Sequence, residues 1–249
     1  MLFPFKGKYS VRLAVDGDDV RRAQALRHLT FIAETGAAPR TADLDSDHYD
    51  AKCDHVLIEE SKSGALVCCF RLLPFENGSE IDTSYSAQFY DLEALHSFPD
   101  RVVEMGRFCV HPDHRKGEVL RIAWGAMTRY VDARHIKLLI GCSSFQGVDA
   151  DTYSDVFALL KDNHLAPTHW LPRPKAANIF EFARKLSLRR ADKTQGMRLM
   201  PPLLRGYLSM GGWVSDHAVI DHDMNTLHVF TGLEISRVPD RISRALRRS

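Results

Sequence analysis

The 249-residue sequence predicts an α/β sandwich built on a mixed sheet. Three observations carry this. Segments of period two alternate with segments of helical spacing in the order β-α-β-β-(α)-β-α-β, followed by helix, strand and strand. No linker, internal repeat or low-complexity segment divides the chain. Apolar residues make up 45%, enough for a substantial core in a chain of this length. One domain over residues 1–249 is expected, with its core at about residues 9–235 and a basic tail over 236–249 as a C-terminal elaboration.

Tyr9–Val15 alternates polar and apolar residues and reads as a first strand. Asp18–Glu34 places Val20, Ala23, Leu26, Leu29, Phe31 and Ala33 near helical spacing, with Gly36 as a stop just beyond. A polar, Asp-rich loop covers 37–52. Val56–Ile58 and Ala65–Leu73 are strands, and Ser61-Lys62-Ser63-Gly64 between them is hairpin chemistry. Glu76–Ala87 is a polar connection to a short helix near Phe89–Leu95. Val102–Val110 is a strand, Val119–Ala133 a helix, and Leu138–Cys142 a strand. Asp155–Leu160 reads as helical, and 161–175 as a loop because it carries three prolines. Helices at Ala176–Leu186 and Pro201–Met210 precede strands at Trp213–Ile220 and His228–Ile235, and a basic helix closes the chain.

Composition narrows the function. With 33 basic and 32 acidic residues the net charge is +1, so no overall nucleic-acid signature appears. The charges are nonetheless segregated: residues 38–100 hold thirteen acids and four bases, and 171–249 hold fourteen bases and seven acids. Such a split fits two surfaces with different partners, or simply two solvated faces. Cys53, Cys68, Cys69, Cys109 and Cys142 are odd in number and form no C-x-x-C, which predicts reduced cysteines and a cytoplasmic protein. No segment nears ~18 uninterrupted apolar residues and residues 1–6 lack a signal-peptide core, so the expectation is a protein that is soluble or lies on a membrane surface.

Three charges interrupt apolar strands: Arg71 in Val67–Leu73, and Glu104 and Arg107 in Val102–Val110. Burying a charge costs several kcal/mol, on the order of what one ion pair returns, so these residues are expected to be paired or chemically used. Glu104 and Arg107 are three apart and would face opposite sides of a regular strand. A bulge at Gly106 would bring them together. No metal is expected. Asp43-x-Asp45-x-Asp47 lacks the glycine and glutamate of a calcium loop, and His111-x-x-His114 is broken by Pro112 with no third ligand at zinc spacing.

Taken together, Arg27, Phe31, Asp47-x-x-Asp50, Arg71, Phe89, Glu104 and Arg107 resemble the signature of acyl-homoserine-lactone synthases. A closer resemblance is to the bacterial L-ornithine N-alpha-acyltransferases of aminolipid synthesis. It is carried by Cys53-Asp54-His55-Val56, Phe70-Arg71-Leu72-Leu73, Glu104–Pro112, Gly141-Cys142-Ser143-Ser144-Phe145, and Pro202–Leu208 with Gly211-Gly212. That resemblance spans about residues 10–235. It implies a GNAT-like three-layer sandwich with a mostly antiparallel central sheet flanked by helices. It also implies an acyltransferase that moves a 3-hydroxyacyl chain from the phosphopantetheine of acyl carrier protein to the α-amine of L-ornithine, forming lyso-ornithine lipid, with no further cofactor. Three alternatives remain open at this point: the same reaction on another amino acid such as glutamine, a signal synthase of the acyl-homoserine-lactone type, and a non-catalytic lipid- or carrier-binding module, against which the intact Glu104 and matching arginines argue.

The chemistry assigns candidate roles. Glu104 is the candidate general base, directly or through one water. Arg71 or Arg107 can grip the substrate carboxylate, and Asp47, Asp50 and Asp54 with Arg27, Phe31 and Phe89 form the expected amino-acid site. Backbone N–H groups near Cys109 and Val110 are candidates for the thioester oxyanion. Gly117, Ser143, Ser144 and Phe145 complete the expected acyl and pantetheine site. Cys109 has no adjacent histidine and is not expected to form an acyl-enzyme. Coenzyme A binders of this class carry [Q/R]-x-x-G-x-[G/A] at a helix start; His114-Arg115-Lys116-Gly117-Glu118-Val119 keeps only the glycine, and Glu118 would repel a pyrophosphate. The basic stretch 171–205 is a candidate dock for the acidic carrier. In the tail, Val238, Ile242 and Leu246 form a narrow stripe flanked by arginines, which fits either a peripheral contact with the inner face of the cytoplasmic membrane or a cap on the core.

Overall fold

The segments that alternate in the sequence become strands, and the computed structural model describes them within residues 7–34, 43–115 and 117–247. In chain order the elements are β1 (Tyr9–Leu13), α1 (Gly17–His28), β2 (Asp54–Glu60), β3 (Leu66–Phe75), β4 (Tyr90–Asp91), β5 (Val102–Val110), α2 (Gly117–Arg134), β6 (Leu138–Gln146), α3 (Ser154–Asn163), β7 (Arg173–Pro174), β8 (Ile179–Phe180), α4 (Phe182–Lys185), α5 (Lys193–Leu199), α6 (Pro202–Ser209), β9 (Trp213–Asp221), β10 (Thr226–Glu234) and α7 (Asp240–Arg247). The expected mixed, mostly antiparallel sheet flanked by helices is present.

The chain gathers into two compact units, each discontinuous in sequence. The first takes Met1–Pro74, Met105–Ile136 and Pro239–Ser249. Its strands run β1-β2-β3 and then the end of β5, with antiparallel pairing from β1 to β3. His55 pairs with Arg71 and Leu57 with Cys69, so these four share one face. On that face α1 lays Ala23 and Leu26 against Leu57, Cys69 and Cys109. Asp54 points the other way, toward α2, where it accepts from the Tyr130 hydroxyl at 2.7 Å.

The second unit takes Phe75–Glu104 and Lys137–Val238. Val102–Glu104 of β5 runs parallel to Leu138–Ile140 of β6. From β6 the order continues through β10, β9 and β8, all antiparallel. Phe145, Leu227 and Val229 share a face with the core formed by Phe157, Leu160, Phe182 and Leu204. Cys142, His228 and Phe230 turn to the opposite face.

Several elements differ from expectation, each for a local reason. The first helix is α-helical only to His28 and continues as one π turn over Leu29–Ala33, with Glu34 N–H reaching Leu29 O at 3.2 Å. Thr30 bonds its hydroxyl back to the Leu26 and Arg27 carbonyls there, which loosens the α ladder. The expected stop at Gly36 lies outside the described residues. No α-helix forms near Phe89–Leu95. Tyr90–Asp91 pairs with β7 between two 3₁₀ turns because Tyr90 is fully buried and anchors its hydroxyl on strand β10. Of Ala176–Leu186 only Phe182–Lys185 is helical, since Ile179 and Phe180 pair with β9 instead. Helix α5 escapes the sequence pattern because its central residue is Gly196, packed so closely on α3 that an added Cβ would lie 2.9 Å from Asp155 O. Strand β6 runs four residues beyond the expected end, so Ser143, Ser144 and Phe145 lie on it.

The C-terminal stripe is a cap. Val238, Ile242 and Leu246 are half-buried, and Arg247 of α7 makes two bonds of 2.8 Å to Asp132 of α2. Removing residues 239–247 is expected to cost about 2 kcal/mol from half-buried Ile242 and Leu246, lowering the melting midpoint by about 4–8 °C. Arg247→Ala alone should stay within about 1 kcal/mol, because the pair is largely exposed. A midpoint indifferent to the deletion, followed by circular dichroism, would contradict the cap.

Candidate active site

In the first unit the acidic loop and three arginines condense into one buried ionic cluster. Arg27 comes from the core face of α1, Arg71 from the middle of β3, and Arg107 from β5. Arg27 Nη1 meets Asp50 at 2.8 Å, its Nε meets Asp45 at 3.1 Å, and its Nη2 bonds the Asp45 carbonyl. Arg71 takes Asp47 in a bidentate grip at 2.6 and 2.8 Å and reaches Asp50 at 2.9 Å. Arg107 Nε bonds Asp45 at 2.9 Å, and its Nη2 lies 3.4 Å from Asp47. Three guanidiniums thus balance three carboxylates, which is the condition under which buried charge is tolerable.

Surrounding groups finish the cluster. Gln24 donates to Asp50 at 2.9 Å, and His55 Nε2–H donates to the Asp50 carbonyl at 2.9 Å. The Arg71 guanidinium also lies over the Tyr49 ring, 5.5 Å from its centroid. Arg107 adopts φ +53°, a left-handed conformation that costs a β-region residue ~1–3 kcal/mol. The expected irregularity in this strand therefore falls on Arg107 rather than on Gly106. Gly106 itself passes close to Arg71, whose Nε would be 3.6 Å from a Cβ placed there. Burial works to raise the Asp50 and Asp47 carboxyls; Arg27 overrides it at Asp50 and Arg71 at Asp47, holding both below the usual carboxylate range.

In the second unit Glu104 is 4% exposed and has its own partners. Its carboxylate accepts from Tyr85 N–H at 2.7 Å, Ser86 N–H at 2.8 Å and the Ser86 hydroxyl at 2.5 Å. Ser86 Oγ also lies 3.3 Å from Cys142 Sγ. On the same sheet face Tyr90 donates to the His228 carbonyl at 2.8 Å, with His228 Nδ1 3.1 Å away. Phe89 meets the His228 ring edge-on at 4.9 Å, and the Tyr90 ring lies 5.3 Å from His217. Burial, with His217 nearby, pushes His228 down to about 3, so its imidazole is neutral.

The expected site residues are therefore distributed. Arg27, Arg71, Arg107, Asp47 and Asp50 come together, and Phe31 packs beside the Ala23–Cys109 core next to them. Asp54 does not join them; it serves Tyr130 and Arg134. Glu104 and Phe89 belong to the second unit, as do Ser143, which bonds Thr231 at 2.9 Å, the exposed Ser144, and the core residue Phe145. The Cys109 side chain turns into the core, 3.4 Å from Cys69 Sγ, and Val110 ends β5 half-buried. Gly117 opens α2 in open space. Sequence reading missed Asp45, Gln24, His55, Ser86 and Tyr90 as members. Asp45 carried a signal as part of the Asp43-x-Asp45-x-Asp47 run, and His55 as part of Cys53-Asp54-His55-Val56. Among the described residues no group of three or more His, Cys, Asp or Glu is placed to hold a metal ion.

A sheet of this pattern, with a buried glutamate on a central strand, belongs to a known class of enzyme. An acetyltransferase (GNAT) domain model matches residues 26–125, and the chain is an acyltransferase of that type. The L-ornithine N(alpha)-acyltransferase of Rhodobacter capsulatus is 34% identical over 242 residues, covering 94% of this chain and 92% of the relative. That of Brucella abortus is 31% identical over 248 residues, covering 94% and 87%. The chain belongs to the L-ornithine N(alpha)-acyltransferase family. Among solved structures, the CoA-dependent acyl-homoserine lactone synthases MesI (TM-score 0.52, 11% identity, 96% of this chain and 93% of that one) and BjaI (0.52, 15%, 96% and 86%) share its fold.

Two outcomes test the ionic cluster and the neutral histidine. Arg27→Ala leaves Asp45 and Asp50 buried without their main partner and should destabilise by about 3–5 kcal/mol in denaturant titrations. Adding Asp50→Ala keeps two guanidiniums against two carboxylates and should recover a large part of that loss; an Arg27→Ala loss of under about 1 kcal/mol would contradict a coupled cluster. For pH, the unfolded chain protonates His228 near its ordinary pKa of about 6.5 while the folded protein resists until about 3. Acid therefore favours unfolding, and stability should decline as pH falls through that window. Asp47 and Asp50 add a second decline below about pH 4, because protons bind the unfolded carboxylates first. His228→Gln should reduce the first decline, the remainder coming from His55 and His164, which burial also holds down, and leave the second.

Proposed function

We propose that this protein transfers a 3-hydroxyacyl chain from the phosphopantetheine arm of acyl carrier protein to the α-amine of L-ornithine, giving the N-acyl amino acid known as lyso-ornithine lipid. The observation that carries this reading is end-to-end similarity to enzymes named for ornithine acylation, 34% identical with 92% of the relative's length covered. The amine nitrogen attacks the thioester carbonyl, the C–N bond forms, the C–S bond breaks, and the thiol leaves with a proton. The α-ammonium must first lose a proton, and Glu104 is the group to receive it, directly or through one water. Its two oxygens already accept three hydrogen bonds, so one of these donors yields as the proton arrives.

Arg107 and Asp47 are the best candidates to hold the amino acid. Their side chains are 10% and 20% exposed and joined at 3.4 Å, longer than the other arginine–aspartate bonds described in the cluster, whereas Arg27 and Arg71 are 2% and 3% exposed. Ornithine's carboxylate and side-chain ammonium match this loosest pair in charge. Arg27 and Arg71 then act as positioning residues that fix the acidic loop. A carrier-bound donor is favoured over coenzyme A because Glu118 stands in the first turn of α2, beside Gly117, where a pyrophosphate would need the helix N-terminus.

The deciding experiment supplies purified protein with a 3-hydroxyacyl carrier protein or the matching acyl-coenzyme A, and with ornithine or glutamine, and measures amide formation by mass spectrometry. Carrier and ornithine should give the fastest turnover. Equal rates from coenzyme A would overturn the donor, and a preference for glutamine would overturn the acceptor. Glu104→Gln should stay folded and lose roughly 10²–10⁴-fold in rate; near-normal turnover would remove Glu104 from the chemistry.

A further inference from the structure

In the second unit a basic turn holds a leucine out into solvent. Leu188 is 97% exposed, a position that leaves an aliphatic side chain in water. The turn carrying it is built firmly. Arg189 N–H closes it onto Leu186 O at 3.0 Å. The ammonium of Lys161, on α3, then donates to the carbonyls of Leu186 at 2.7 Å, Arg189 at 3.1 Å and Ser187 at 3.4 Å. Leu186 packs inward on the core formed by Phe157 and Phe182, which leaves Leu188 pointing away from it. Met197, 43% exposed, adds a second apolar group on α5 nearby in sequence.

The charge around this turn is one-sided. Residues 181–198 hold six bases (Arg184, Lys185, Arg189, Arg190, Lys193 and Arg198) against Glu181 and Asp192, a net +4 in a chain whose total is +1. Arg184 pairs with Glu181 and Arg189 with Asp155, so part of this charge is locally answered, while Arg190, Lys193 and Arg198 are exposed. We infer that the Ser187–Arg190 turn is a membrane contact that seats Leu188 in an anionic lipid surface with its basic neighbours on the headgroups.

A fluid bilayer accepts a lone projecting side chain without a matching pocket, and a negative leaflet rewards diffuse positive charge. A folded acidic partner, acyl carrier protein included, would need a receptor pocket for Leu188 and point-to-point pairs with bases that are partly engaged already. The inference moves the membrane contact away from the C-terminal stripe, whose apolar residues are half-buried on the core. It rests on the acyl-transfer reading only in that a lipid product has to reach a bilayer.

Co-sedimentation of the full chain with vesicles of equal phosphatidylglycerol and phosphatidylcholine, at low salt, tests it without turnover. Binding is expected to these and not to pure phosphatidylcholine vesicles. Leu188→Ala should weaken it about tenfold, and Arg190→Glu with Lys193→Glu at least a hundredfold. Arg241→Glu with Arg244→Glu, in the tail, should leave it unchanged. Because Leu188 is fully exposed, Leu188→Ala should fold normally and keep its rate with carrier-bound donor in vesicle-free buffer. No binding by the intact protein overturns the inference. So does a Leu188→Ala, or Arg190→Glu with Lys193→Glu, variant that keeps vesicle binding but loses kcat/KM with carrier-bound donor, which would mark the turn as a carrier dock. Vesicle binding without amide formation would leave this contact standing and overturn the acyl-transfer reading instead.

Discussion

The first unit is organised by a charge balance. Arg27, Arg71 and Arg107 project from a helix and two strands that the hydrophobic pattern alone would hold together, yet none of them is tolerable there without an anion. The anions come from a loop with no regular structure of its own. Asp45, Asp47 and Asp50 convert that loop from a polar excursion into a fixed wall, because each carboxylate answers at least one guanidinium. The energy gained is modest once desolvation is counted; the gain is in specifying one loop geometry, since any slip strands a buried charge. The left-handed φ of Arg107 belongs to the same logic, with local strain accepted where the surrounding bonds over-determine the side chain.

How much of this is legible in sequence depends on distance along the chain. Val102–Val110 reads residue for residue as a strand, and its two interrupting charges announce that something unusual is buried there. The hairpin from β2 to β3 is equally readable, because alternation and turn chemistry are both local. What sequence does not reveal is partnership. Asp45 looks like any member of an acidic loop until Arg27 and Arg107, 18 and 62 residues away, are seen to share it. Ser86 sits in a polar stretch with nothing to distinguish it, yet it supplies two of the three donors to Glu104. Helix α5 is hidden for a steric reason, a glycine required by its close packing on α3.

The second unit handles polarity differently. Glu104 accepts from hydroxyl and backbone N–H groups, and Tyr90 anchors on the backbone of the neutral His228 of strand β10. An arginine partner, like those holding Asp47 and Asp50, depresses basicity strongly.

Strand β5 carries Glu104 and Arg107 three residues apart, and this spacing is demanding. A regular strand alternates its side chains, so Glu104 and Arg107 could each be oriented by the pleat alone only for partners on opposite faces. The positive φ at Arg107 releases that residue from the alternation, allowing its guanidinium to be placed by the acidic loop rather than by strand parity. Gly106 stands beside Arg71, whose Nε would be in ordinary van der Waals contact, 3.6 Å, with a Cβ placed there. The motif Glu104-Met105-Gly106-Arg107 is thus a small mechanical unit. The glutamate keeps strand geometry, and the arginine breaks the strand's alternation to close the ionic cluster.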